Sequence, residues 1–427
     1  MNPKIEKYGA FLKKQVPGHP GTVRRLLAAT YGAIGLQAER FPSGKYTSSR
    51  EYLQSYTARL LSGMLSDPSG AAVVNLFLPC EIFHALGVKI MAPEALACYI
   101  ANTACEQPFI EAAEENGASD TFCSFHRVLL GLAETGVLKK PALVANTTCV
   151  CDANQLSFRQ LADIWKVPQF VVDVPYETGS EAISYVAGQL LALSRMAEEC
   201  VHKKLDENEL KAAVARSIKS QDYFRRYLAL RPEVHFPEAM TPELLSAVAN
   251  HLYLGLPESE RYFRMLLEDV KKAPAAGAEK KIIWMHILPN YQEELKEIFQ
   301  GNERIEVLAS DLTYDSLVHM DPEKPYESMA RRIVAGSMNG PGSRRISRTL
   351  DIARRMKADG ILIFCQWGCK QTQGIALAAK RTFEENGFPT LILDGDACDR
   401  SNSGGAQAVT RANAFVEELE LRAARPL

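Results

Sequence analysis

No apolar run in the sequence approaches the ~20 residues that cross a bilayer. The most apolar stretches, AAVVNLFLP at 71–79 and ILIF at 361–364, stop far short, so no membrane span is expected. An excess of one charge is also missing. With 49 Lys+Arg against 51 Asp+Glu the formal charge is -2, which leaves no general field for nucleic acid or an anionic membrane surface. The opening MNPKIEKYGAFLKKQVPGHPG has scattered charges and lacks the apolar core of a secretory signal, so a cytoplasmic location is expected. The phosphate-binding pattern GxxxxGK[ST] is absent. Gly44-Lys45 in PSGKYTSS lacks the upstream glycine, so any ATP hydrolysis has to take place on another protein. Low-complexity segments, heptad seams and charge blocks are missing too.

What is present is length and a changing texture. The 427 residues exceed the ~100–200 of a usual domain, which predicts two or more cores. Residues 1–70 read as a helical N-terminal segment, because apolar and charged residues mix at helical spacing in EYLQSYTARLLSGML. From 71 to 180 short β-branched runs, AAVVNLFLP, ALVANTT and QFVVDVP, alternate with helical stretches, the pattern of a parallel α/β lobe. Residues 181–275 carry long amphipathic stretches such as EAISYVAGQLLALSRMAEECVHKK and form a helical connector. A second α/β lobe is expected over 276–427, with strands at KIIWMHILP, IEVLASD, ILIFCQW and TLILDGD.

Ten cysteines in a reducing compartment point to metal or redox chemistry rather than disulfides. Open parallel sheets bind ligands beyond the carboxyl ends of their strands. Cys80 follows NLFLP, Cys149 and Cys151 follow VANTT, Cys365 and Cys369 lie in ILIFCQWGCK, and Cys398 follows LILDGDA. Cys123, in TFCSFHRVLLG, opens a helix, where unpaired amides favour a thiolate. Cys98, Cys105 and Cys200 sit at helical spacing and read as packing residues. Cys149 and Cys151 are two apart and one of them ligates; buried free thiols and a zinc site stay open as alternatives. Thiols arriving singly from separate strand ends suit an iron-sulfur cluster better than the paired CxxC of structural zinc.

The motifs LFLPCEIFHALG, FCSFHRVLLG, NTTCVCDANQLSFRQLADIWKVPQFVVDVPYE, ADGILIFCQWGCKQTQG, LILDGDACDRSNS and TRANAFVEEL resemble, over about residues 70–420, the benzoyl-CoA reductase and 2-hydroxyacyl-CoA dehydratase superfamily. Within it the chain looks most like the double-cubane cluster proteins. The resemblance implies two Rossmann-like lobes whose facing strand ends hold the metal on Cys80, Cys123 and Cys151 from the first lobe and Cys365, Cys369 and Cys398 from the second. Six thiols match the six irons left to the protein when one sulfide bridges two cubanes, so a double-cubane [8Fe-9S] cluster is implied, with a single [4Fe-4S] as the alternative.

The activity implied is ATP-dependent, low-potential reduction of small molecules of the acetylene and hydrazine kind, by an oxidoreductase fed from a separate ATP-hydrolysing iron-sulfur activator. A homodimer is implied as well. The alternative is a 2-hydroxyacyl-CoA dehydratase or aryl-CoA reductase subunit, and a third reading is a non-catalytic electron store or cluster carrier. His84, four residues after Cys80, and His126, three after Cys123, are candidate proton relays, as is His286 at a strand end. Trp367 reads as packing around the cluster. The Gly-rich basic loop GSMNGPGSRRISR at 336–348, with Arg344 and Arg345, would matter for a CoA ester.

Overall fold

A computed structural model describes residues 3–423 except 237, 239, 290 and 316. Helices Pro3–Gln15, Pro20–Arg40 and Ser48–Ser66 precede the first sheet, and the last two pack side by side along their length. Strands β1 (Ala72–Val74), β2 (Ile90–Met91), β3 (Leu143–Thr147) and β4 (Gln169–Val172) form a parallel sheet in the order β2-β1-β3-β4. Strands β5 (Lys280–Met285), β6 (Ile305–Ser310), β7 (Gly360–Gln366) and β8 (Thr390–Gly395) form a second parallel sheet in the order β6-β5-β7-β8. Each sheet places its first strand second from one edge and its last at the other. The chain therefore carries two α/β lobes of one topology, as the alternating runs predict. Seven of the eight strands coincide with those runs. The two-residue β2 was not anticipated, because a pair of residues is too short to show alternation.

Between the lobes run the long helices Ser180–Val201 and Glu207–Leu230, then Met240–His251 and Pro257–Lys271. They bury aromatic residues such as Phe224, Tyr227 and Phe263 in the core that also takes one face of each sheet. Among the described residues no helix is long and apolar enough to cross a membrane.

Helix Gln107–Glu115 crosses helix Ser124–Glu134 at Gly131, where an added Cβ would stand 1.8 Å from the Phe109 carbonyl oxygen. Nothing larger than glycine fits unless the helices separate. Gly131→Ala is expected to cost about 3 kcal/mol or more, read as the shift of a denaturant midpoint.

A polar clasp ties the lobes at the carboxyl end of β8. The Asp396 carboxylate accepts hydrogen bonds from Ser124 Oγ at 2.6 Å, Gln366 Nε2 at 2.9 Å and the backbone amides of Cys398 and Asp399. Asp399 accepts from Gln107 Nε2 at 2.6 Å and pairs with Arg127, while Arg400 pairs with Glu106 at 2.6 Å. On the other side Arg332 of helix Pro325–Val334 meets Glu81 head-on, Nη2 to Oε2 at 2.8 Å, and Ser217 of the connector donates to the same carboxylate at 2.8 Å. All three side chains are buried.

Candidate functional site

The carboxyl ends of both sheets open onto one cavity of about 310 Å³, a volume in the range of small-ligand sites. Leu76 and Phe77 reach it beyond β1, Val150 and Cys151 beyond β3, His286 and Ile287 beyond β5, Leu312 beyond β6, and Gly368 and Cys369 beyond β7. Phe122, Cys123, Phe125 and His126 come from the start of helix Ser124–Glu134.

Three thiols line this cavity, and each is the residue immediately before a helix. Cys123 caps Ser124–Glu134, Cys151 caps Asp152–Trp165 and Cys369 caps Lys370–Glu385. Free amides and the positive ends of three helix dipoles therefore face the same space, an arrangement that stabilises anionic sulfur. Burial opposes this in the protein alone: it pushes the Cys123 thiol well up and the Cys151 thiol up to about 12, and the neighbouring Cys369 raises both further. A cationic partner is what would make these sulfurs thiolates at neutral pH.

Gly368 sets how closely the two lobes approach here. Its φ is +77°, and an added Cβ would lie 2.7 Å from the Cys123 amide nitrogen. The loop carrying Cys369 thus rests on the backbone of Cys123. Gly368→Ala is expected to displace Cys369 and to lower the metal bound by anaerobically purified protein, with helicity by circular dichroism unchanged.

The structure does not bring the other three implied ligands to the cavity. Cys80 is buried against the Glu81–Arg332 pair and donates to the Leu78 carbonyl at 3.1 Å. Cys365 lies inside β7 near Cys369, with its thiol pushed up to about 12 by burial, and is not on the lining. Cys398 is turned toward the Ala97 carbonyl, 3.7 Å away, beside Cys98. Within the motif LILDGDACDRSNS, Asp396 through Oδ1, Asp399 and Arg400 make the interlobe clasp. Cys149 faces a separate small void with Asp315 and Arg332, whereas Cys151 faces the cavity.

The histidines divide in the same way. His84 is away from the cavity, its Nε2 donating to the Leu252 carbonyl at 2.8 Å, and burial lowers it to about 4. His126 is on the cavity, with Nδ1 2.8 Å from Ser157 Oγ and Nε2 3.8 Å from Cys151 Sγ; burial lowers it to about 4, so it orients the thiol as a neutral ring. Trp367 is exposed and donates to the Asp120 carbonyl at 3.4 Å. Arg344 is spent on the carbonyls of Val334 and Tyr176, but Arg345 is buried at the cavity.

Glu94 was not singled out in the sequence, since one acid in an otherwise apolar helix carries no motif. It lines the cavity, Oε2 has no hydrogen-bond partner, and burial raises it to about 7.

Thiols converging singly from three helix starts are a donor set that an iron-sulfur cluster or a zinc ion can use. Among the described residues the one compact cluster of ligand-type side chains, His235, Glu279 and Glu306, lies elsewhere and already contains the cations Arg231 and Lys281.

Residues 75–419 match the family model described as 2-hydroxyglutaryl-CoA dehydratase, D-component. The chain is 25% identical over 369 residues to the (R)-phenyllactyl-CoA dehydratase alpha subunit of Clostridium sporogenes, covering 80% of this chain and 87% of that protein. It is 22% identical over 391 residues to the lactoyl-CoA dehydratase subunit alpha of Anaerotignum propionicum, covering 80% and 89%. A part, 43% of this chain, is 24% identical to half of the (R)-phenyllactyl-CoA dehydratase beta subunit of Clostridium sporogenes.

Proposed function

Because the chain belongs to the 2-hydroxyglutaryl-CoA dehydratase D-component family, we propose that it is a subunit of a 2-hydroxyacyl-CoA dehydratase holding one [4Fe-4S] cubane on Cys123, Cys151 and Cys369. The observation that carries this reading is the convergence of three helix-capping thiols, two from the first lobe and one from the second, on a single apolar cavity. Cys123, Cys151 and Cys369 would hold such a cluster by three of its irons. Small-molecule reduction by a double cubane would call on Cys80, Cys365 and Cys398 as well, and these do not line the cavity. The relatives are named as dehydratases, which favours a lyase over an oxidoreductase.

When bound, the cluster supplies low-potential electrons and an iron with an open position. The reaction it would serve is redox-neutral overall: the hydroxyl leaves C2, a proton leaves C3, and water and an enoyl thioester result. The chain's own groups do the rest. Phe77, Phe122, Phe125, Leu312 and Met338 give the cavity an apolar lining, which strengthens polar contacts made against it. His126, neutral and tied to Ser157, fixes the Cys151 sulfur. The sequence lacks a phosphate-binding loop, so the electrons would come from a separate ATP-hydrolysing activator. Relatives named as alpha and beta subunits support pairing with a chain of the same fold, a second copy included.

The deciding experiment is an anaerobic assay with the activator and ATP. Dehydration of (R)-phenyllactyl-CoA or lactoyl-CoA is expected. Reduction of acetylene or hydrazine with no acyl-CoA turnover would restore the reductase reading. Reduction of the cluster with turnover of nothing would favour electron storage.

A further inference from the structure

Two residues on the cavity lining, Arg345 and His286, each keep a buried polar atom without a hydrogen-bond partner. Arg345 is buried; its Nε donates to Asp311 Oδ2 at 2.6 Å and its Nη1 to Thr372 Oγ1 at 2.9 Å and to Gln371, while Nη2 is closed off from solvent and has no hydrogen-bond partner. His286 stands beside it, and its Nδ1 is likewise shielded and unpartnered. One carboxylate holds both: Asp311 Oδ1 accepts the His286 backbone amide at 2.7 Å while Oδ2 accepts Arg345. The His286 backbone has φ +85°, a conformation uncommon outside Gly and Asn and one that persists where the surroundings impose it. Ser310 Oγ adds a bond to the His286 carbonyl at 3.1 Å.

Unpaired buried donors are costly and mark ligand positions. These two belong to one rigid unit fixed by Asp311. The charge of Arg345 is answered by Asp311, so its free N–H offers a hydrogen bond rather than net attraction for an anion. Lys370, the other cation on the lining, is exposed to solvent, and Glu94 adds an acid inside. The rest of the wall is mostly apolar, with Leu76, Phe77, Phe122, Phe125, Leu312 and Met338 among its residues.

Resting on the dehydratase reading, we propose that Arg345 Nη2 and His286 Nδ1 receive the carbonyl and the 2-hydroxyl of a 2-hydroxyacyl thioester, and that the chain selects uncharged, apolar acyl groups over dicarboxylic ones. The guanidinium donates to the carbonyl oxygen. The imidazole, neutral because burial and Arg345 hold its basicity well down, pairs with the hydroxyl. A carboxylate at the end of the acyl chain would enter a mostly apolar wall, since the remaining cation, Lys370, is exposed to solvent rather than buried with the acyl chain.

The test is equilibrium binding to the iron-loaded protein without activator or ATP, so that no turnover occurs. (R)-Phenyllactyl-CoA is expected to bind wild type at least about tenfold more tightly than 2-hydroxyglutaryl-CoA. Arg345→Lys, which keeps a charge for Asp311, and His286→Asn, which tolerates positive φ, should each weaken phenyllactyl-CoA about ten- to a hundredfold with iron content unchanged. Phenylpropionyl-CoA, lacking the hydroxyl, should bind wild type and His286→Asn alike. Tight wild-type binding that neither variant weakens, or a preference for 2-hydroxyglutaryl-CoA, overturns the inference alone. Failure of wild type to bind any acyl thioester overturns the dehydratase reading and the inference with it.

Discussion

Anaerobically purified Cys123→Ser, Cys151→Ser and Cys369→Ser proteins are expected to lose most of their iron and all turnover, while Cys80→Ser, Cys365→Ser and Cys398→Ser keep both. Each of the first three removes a helix-capping thiol from the common cavity, and a cluster left with two protein ligands dissociates readily. The second three exchange a buried thiol for a hydroxyl, a change expected to cost about 1–3 kcal/mol where the hydroxyl finds no partner, without touching the cavity. Wild type should carry about four irons per chain. Iron near eight per chain, lost on substitution of Cys80, Cys365 or Cys398, would reinstate the double cubane with its six ligands.

Arg332→Met is expected to destabilise the protein by about 3–5 kcal/mol, because it strands the Glu81 carboxylate in the interior. Glu81 and Arg332 are both buried, and Ser217 supplies the only other side-chain bond to that carboxylate among those described. Burial by itself would raise the Glu81 carboxyl, yet the Arg332 charge and hydrogen bonds outweigh it and hold the group below its ordinary value. A depressed carboxyl adds stability that is full above its unfolded value of ~4.3 and is lost as pH falls through the folded one. In Arg332→Met the carboxyl takes up a proton more easily, so the gap from wild type should narrow on acidification. Urea titrations at pH 7 and pH 4 measure this; a gap that is constant with pH would show that the loss comes from packing alone.

The lobes were legible in the sequence because fully buried parallel strands such as GILIFCQ leave short continuous apolar runs. Three of the six implied ligands lie where strand ends meet the cavity. The other three are not on its lining: Cys365 is still inside β7 near Cys369, Cys80 packs against an ion pair, and Cys398 turns to the Ala97 carbonyl with Cys98 and Cys123 nearby. Sequence order shows that a residue follows a strand, not which way the following turn directs it. The Asp396 and Asp399 clasp was hidden for a related reason, since its partners Ser124, Gln107 and Arg127 are nearly 300 residues away. Glu94 and the Asp311 bridge between His286 and Arg345 depend on three-dimensional convergence that no spacing rule reports.

The clasp also fixes when the site can exist during synthesis. Its bonds join residues 106–127 to residues 396–400, with separations of 272 for Ser124–Asp396 and 294 for Glu106–Arg400. A chain emerging from the ribosome can fold its first lobe early, with Cys123 and Cys151 in place but Glu106 lacking Arg400 and Arg127 paired with Glu114 alone. Only when β8 and the loop after it have left the exit tunnel can those pairs be completed and Cys369 seated on Cys123. A metal centre spanning these thiols would therefore be assembled late, and a nascent chain whose residues from 369 onward are still inside the exit tunnel would present only two of the three ligands to a cluster donor.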